Sequence, residues 1–128
     1  MVAFLSQEWI ELYRELGGAL PARPGVTARV QHVVTGAPGG DVRYHVSVVD
    51  GRYVAAGLGD DPAAEVTLTT TYPDALAVER GELDASAAFM QGRVKTLGSM
   101  GTVMALMPLT RSEELAVVRA EIAARTAW

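Results

Sequence analysis

The feature that most narrows what this chain can fold into is a block of period-two patterning between Val26 and Ala56. Val26, Ala28, Val30, His32 and Val34 fall on one face of an extended segment, and Val42, Tyr44, Val46 and Val48 on one face of the next. Successive side chains of a strand point to opposite sides, so alternation of this kind builds half-buried strands. GAPGG at 36–40 turns the first pair, and Asp50-Gly51 is a two-residue hairpin signal that predicts Val48 opposite Tyr53 and Val46 opposite Ala55. Register follows from burial. A slip of one residue would move a strand's whole apolar set to the other face, so the pattern selects Val34 against Val42, His32 against Tyr44 and Val30 against Val46, or the register two residues away. His32 then faces the apolar side and His45 the opposite one.

The remaining elements are short and mostly helical. Ser6 suits the cap of a helix to about Leu16, with Trp9, Leu12, Tyr13 and Leu16 at helical spacing and Gly17-Gly18 as its stop. LPARPG at 20–25 reads as a connector, and the helix before it as a lid or end cap on the sheet. After the loop GLGDDPA, EVTLTTT is a fourth strand with Val66, Leu68 and Thr70 inward. Pro73 suits the first turn of a helix carrying Ala75, Leu76 and Val78. Asp84 caps another, through Phe89 and Met90, that ends before Gly92. Arg93 to Leu97 reads as a fifth strand, Ser99 as the cap of a Met-rich helix that stops by Pro108. Thr110 and Glu113 have capping-box spacing and open a last helix with Leu115, Val118 and Ile122 on one face. Glu121 and Arg125 form an i,i+4 pair on its wet side. The order of elements predicts an α+β layout with helices gathered over one face of a sheet.

Bulk properties exclude several classes. At 128 residues the chain is expected to form one domain over residues 1–128. With no cysteine it has no disulfide, thiolate metal site or thiol chemistry. No apolar run approaches the roughly 18 residues that span a bilayer, and MVAFLSQEWIEL lacks the basic start and long apolar centre of a signal peptide, so a cytoplasmic address is the default. The net charge is −4, and the eleven basic residues, with Lys95 the only lysine, are scattered rather than striped. That argues for no nucleic-acid partner and for at most transient membrane contact.

The stretch ASAAFMQGRVKTLGSMGTVMALMP, 85–108, concentrates Phe89, Met90, Met100, Met104 and Met107 among glycines at 92, 98 and 101. Unbranched thioethers make a deformable apolar wall that suits either a core or a guest of variable outline. The segment from Glu65 to Pro108 resembles the sterol carrier protein 2 (SCP2-like) family. The matching residues are the acidic-Val-Thr-Leu-Thr strand Glu65 to Thr69, the helix end Arg80-Gly81-Glu82-Leu83-Asp84, and above all Ala88-Phe89-Met90-Gln91-Gly92-Arg93-Val94-Lys95. The turn through Gly98 and Met100-Gly101 into a Met- and Leu-rich helix also fits. Ser99 departs from the acidic or amide residue the family often places there, and Thr96-Leu97 from a more basic, β-branched strand end. The resemblance implies a five-stranded, mostly antiparallel sheet covered by helices, with a hydrophobic tunnel that takes sterols, fatty acids or acyl conjugates. Related domains also occur within larger enzymes; the reading preferred for this chain is binding without catalysis and without a cofactor.

On that resemblance the ligand-lining residues are expected to be Val30, His32, Tyr44, Val46 and Leu68 on the sheet. Phe89, Met90, Met100, Val103, Met104 and Met107 would form the wall, and Leu115, Val118 and Ile122 the last helix, which its narrow apolar stripe marks as the lid. Large ligand pockets are mostly apolar with few polar groups, which His32, Tyr44 and Thr70 would supply. Zinc needs three or four protein ligands, and His45 points away from His32, so no metal site is expected. Asp60-Asp61 reads as a pair of solvated turn acids rather than a calcium loop. Gly98-Ser99-Met100-Gly101 is one residue short of a nucleophile elbow, and no histidine follows it. Two other readings compete with the hydrophobic small-molecule carrier. One is an interaction module that pairs as a homodimer through Val33, Val49, Val54 and Ala56 on the outer sheet face. The other is an enzyme working through His32 and Tyr44.

Overall fold

The computed structural model describes residues 1–128. In chain order the elements are β1 (Val2–Ala3), α1 (Gln7–Gly17), β2 (Ala28–Thr35), β3 (Val42–Val49), β4 (Arg52–Leu58), β5 (Val66–Thr71), α2 (Tyr72–Glu79), α3 (Ala85–Met90), β6 (Lys95–Gly98), α4 (Met100–Thr110), α5 (Glu113–Ala124) and β7 (Thr126–Ala127). Five strands form one sheet in the order β4-β3-β2-β5-β6, antiparallel except where β2 meets β5. This is the mixed α+β architecture expected from the sequence.

Of the two registers that burial allows, the structure adopts the first: Val34 opposes Val42, His32 opposes Tyr44 and Val30 opposes Val46. The second hairpin differs by one residue. Val48 opposes Tyr53 as expected, but Ser47 opposes Ala55 and Val46 opposes Ala56, so Val54 is the extra residue of a bulge. The bulge keeps Tyr53 inward and returns Ala56 to the inner face, where both pack on the core. Asp50 and Gly51 carry φ of +49° and +80°. Gly51 is required there twice over, because a Cβ would also lie 2.8 Å from Cβ of Arg23, whose N–H bonds the Asp50 carbonyl at 2.7 Å.

The chain leaves β4 at one edge and must return to pair β5 with β2. The crossing loop is held on the outer face by Gln31, which is 3% exposed. Its amide NH₂ donates to the carbonyls of Tyr44 at 3.0 Å and Gly59 at 3.1 Å, and its Oε1 accepts from the Asp61 N–H at 2.8 Å. Asp61 is not the solvated acid expected: its side chain is 5% exposed and takes both Arg29 guanidinium bonds at 2.8 and 3.0 Å. Asp60 stays exposed and pairs with Arg43. A loop carrying this many backbone groups under a sheet needs such partners, because buried unpaired polar groups are costly.

Local chemistry explains three shifted boundaries. The fifth strand begins at Lys95, later than predicted, because the Arg93 N–H still closes α3 on the Ala88 carbonyl while its side chain pairs with Asp74. Helix α4 runs past Pro108 to Thr110. A proline there removes a single helical bond near the end, and the following Leu109, 3% exposed, is pulled into the core. The cap of α5 is Ser112 rather than Thr110: its hydroxyl accepts from the Leu115 N–H at 3.1 Å and donates to the Leu109 carbonyl at 2.7 Å. The parallel pair β1–β7 was not legible in the sequence.

The buried apolar residues form three clusters rather than one. Trp9, Ile10, Val34 and Ile122 join α1, the sheet and α5; Leu20, Val46, Val48, Leu109 and Leu115 join the sheet to α4 and α5; Ala28, Val30, Val66 and Val103 lie beneath the start of α4. Between them the helical face of the sheet is not filled.

Candidate functional site: an apolar hollow with a polar neck

The gap between the clusters is a hollow of about 180 Å³, with 19 of its 24 lining residues hydrophobic. Its floor is the inward face of β2, β3 and β5, including Val30, His32, Tyr44, Val46 and Leu68. Its walls include Ala88 and Phe89 of α3, Val103, Leu106 and Met107 of α4, and Leu115 of α5. The pleat places the floor residues together, since alternate residues of one strand share a face.

Of the fourteen residues expected to line a cavity, nine do so: the five floor residues with Phe89, Val103, Met107 and Leu115. Met90, Met100 and Met104 do not; they are 73%, 48% and 59% exposed. Helix α4 is apolar all round, so its sequence period could not choose the inward face. The structure turns Val103, Leu106, Met107 and Thr110 inward, an i, i+3, i+4, i+7 set. That leaves Met100 and Met104 on the water side. Val118 and Ile122 belong to the cluster under α1, with Ile122 only 1% exposed, so α5 contributes to the hollow through Leu115 and Arg119 alone. On the outer sheet face Val49 and Val54 are exposed, but Val33 is buried and Ala56 faces inward, so the four do not make one apolar patch.

A second hollow of about 330 Å³ adjoins the first, bounded by the α2–α3 turn on one side and the start of α5 on the other. The two share Val78, Glu79, Ala85, Thr110 and Arg119. Glu79 and Arg119 thus stand at a neck between an apolar chamber and a polar vestibule. The Tyr13 hydroxyl donates to Glu79 Oε2. Burial raises the Glu79 carboxyl above its ordinary range, with Arg119 and the Tyr13 hydrogen bond acting against that rise. Burial also disfavours charge on Arg119, but Tyr13, Glu79 and Tyr53 outweigh it and keep the guanidinium charged. Neither residue was singled out from the sequence. The signal existed for Arg119, which sits at i+4 from Leu115 and i−3 from Ile122 on the stripe those residues define.

His32 and Tyr44 stack with ring centroids 4.6 Å apart and planes 8° from parallel. Burial, and secondarily the charge of Arg119, lowers the His32 pKa from 6.5 to about 4. Because the folded value lies below the unfolded one, the unfolded chain takes up the proton first as pH falls. Stability should therefore be unaffected by this group above about pH 6.5 and decline between there and about 4. The decline attributable to it is on the order of 3 kcal/mol. Denaturant midpoints across that range should show the slope in the parent chain and a shallower one in His32→Phe; identical slopes would contradict the burial of a neutral imidazole.

The fold is thus a helix-covered, five-stranded sheet with an apolar hollow between its layers. Residues 11–111 match the family model described as the SCP-2 sterol transfer family. The chain belongs to that family. It is 31% identical over 107 residues to sterol carrier protein 2 of Rattus norvegicus and 28% identical over 106 residues to that of Gallus gallus. Each match covers 82% of this chain but only 17% of the relative's length. Among solved structures, a crystal structure of sterol carrier protein 2 superposes with a TM-score of 0.71 at 16% identity, covering 97% of this chain and 99% of that one. A solution structure of palmitated SCP2L2 from Aedes aegypti gives 0.64 at 18% identity, covering 80% and 89%. At these identities the structural likeness establishes the fold. No helix is long and apolar enough to cross a membrane.

Proposed function

We propose that this chain binds a hydrophobic, lipid-like molecule in the chamber between sheet and helices and carries it inside the cell without altering it. The observation that supports the reading is the chamber itself, an apolar lining broken by His32 and Thr70 on the sheet and by Glu79, Thr110 and Arg119 at the neck. Binding would be driven by removing apolar surface from water, at about 25 cal/mol per Å². His32 supports a wall role rather than a catalytic one, because it stacks on Tyr44 and burial keeps it neutral at ordinary pH.

The chamber of about 180 Å³ is smaller than the roughly 300–1,000 Å³ of ordinary ligand pockets. A long guest therefore has to widen it or extend through the neck into the vestibule. Helix α4 suits widening: it buries Thr102, Val103 and Leu109 but leaves Met100 and Met104 in solvent. The Met107 thioether on the inner side adapts at low cost.

Displacement of a fluorescent acyl probe by unlabelled fatty acids, acyl-CoA and sterols tests the proposal. Saturable displacement at one site per chain is expected from at least one of these classes. Failure of every class to bind would overturn the carrier reading.

A further inference from the structure

The neck holds one polar group that the fold does not satisfy. Arg119 Nε is sealed from solvent and has no hydrogen-bond partner, and Arg119 takes part in none of the chain's six ion pairs. Glu79, the acid beside it at the neck, is engaged by the Tyr13 hydroxyl. A guanidinium placed on the apolar stripe between Leu115 and Ile122 with an unmet donor costs stability in the empty protein. A guest that supplies the missing acceptor removes that cost.

The vestibule beyond has the matching charge. Arg80, Arg111 and Arg119 line it, against Glu79 and Asp84. Asp84 is occupied in capping α3, where its Oδ2 accepts from the Ala87 N–H at 2.9 Å. Arg80 lies 3.9 Å from Glu82 and over the Trp128 ring, whereas Arg111, like Arg119, has no ion-pair partner. Two guanidinium groups without a salt-bridge partner thus face a space that adjoins the apolar chamber, Arg119 supported by Tyr13 and by the charge of Glu79 but with its Nε unmet.

We propose that Arg119 is the head-group residue of the site, and that this chain selects single-chain amphiphiles with an anionic oxygen head over neutral, sterol-like guests. The tail lies in the chamber, and the head sits at the neck against Arg119, with Arg111 further out in the vestibule. The assignment rests on the carrier reading above and adds the ligand's chemistry. A carboxylate or phosphate offers two acceptor oxygens to the planar guanidinium fork, whereas a sterol or fatty alcohol offers one hydroxyl and no charge.

Three guests with the same tail separate the contributions: dodecanoate, dodecyl phosphate and dodecanol, titrated against the full chain by calorimetry or probe displacement. Dodecanoate, dodecyl phosphate or both should bind at least about tenfold more tightly than dodecanol, the margin expected of a hydrogen bond to a charged group. Whichever anion binds more tightly identifies the source of the head, a free acid or a phosphorylated amphiphile. In Arg119→Met the preference should collapse towards one while dodecanol affinity changes little. Arg119→Lys should retain part of it. An isosteric apolar replacement of a buried charge commonly folds, and thermal melts check this. Equal binding of acid, phosphate and alcohol by the parent chain would overturn the head-group assignment and leave the carrier reading standing. So would a preference that survives Arg119→Met. Failure of all three to bind would overturn both.

Discussion

Replacing Trp9 with alanine should cost about 3–5 kcal/mol of stability, the range for truncating a large buried aromatic. The indole is 1% exposed and is the largest of the fully buried side chains. It makes edge contacts with Phe4 at 5.1 Å, Tyr13 at 4.9 Å and Tyr44 at 5.9 Å. These partners come from the N-terminal segment, from α1 itself and from the middle of β3, so the side chain fastens α1 to the sheet. Stability of a domain this size is commonly about 5–15 kcal/mol, and the loss should appear as a large fall in denaturant midpoint. Trp9→Phe discriminates packing from hydrogen bonding. The indole Nε1 is buried without a partner, so phenylalanine removes volume but no hydrogen bond, and should cost much less than alanine. Equal losses from the two variants would mean that ring packing is not what holds α1.

Leu68→Trp should weaken binding of an acyl guest by close to a hundredfold while leaving the fold nearly as stable as before. Leu68 is at the centre of β5, between His32 on β2 and Thr96 on β6, and lines the chamber floor. An indole there occupies space now empty, so it escapes the usual penalty of overpacking a filled core. A guest denied roughly 100 Å² of apolar contact loses about 2.5 kcal/mol, close to a hundredfold in affinity. Unchanged melting with binding weakened to that extent is the expected pairing. Retained affinity would move the guest elsewhere; unfolding would mean that the floor is already packed.

Much of the fold is legible in the sequence, and the reason differs from element to element. Strands β2 and β3 carry apolar or aromatic side chains at every second position, so burial excludes any one-residue slip, and the structure adopts one of the two registers that remain. The bulge at Val54 was not legible, because Val54, Ala55 and Ala56 are all small and apolar and pairing any of them inward looks equivalent. Helix α4 posed the same difficulty on a larger scale. A helix apolar on every side has no preferred face until its neighbours choose one, so Met100 and Met104 were expected in the chamber and lie outside it. Arg119 is the opposite case: a charge on an apolar stripe is informative, but the hydrophobic members Leu115, Val118 and Ile122 alone define the stripe's period. Gln31 is comparable. Its part in holding the crossing loop depends on partners 13 to 30 residues away, which no local pattern shows.

The claim on which all of this depends is that the chamber admits an alkyl chain, and methyl-resolved NMR during titration with dodecanoate tests it most directly. The predicted result is saturable shifts in the methyl groups of Val30, Val46, Leu68, Val103, Leu106 and Leu115, all of which line the chamber, with Val54 and Val117 on the surface unmoved. Shifts confined to exposed methyls such as those of Met90, Leu97 and Met104, with the chamber silent at saturating ligand, would contradict it.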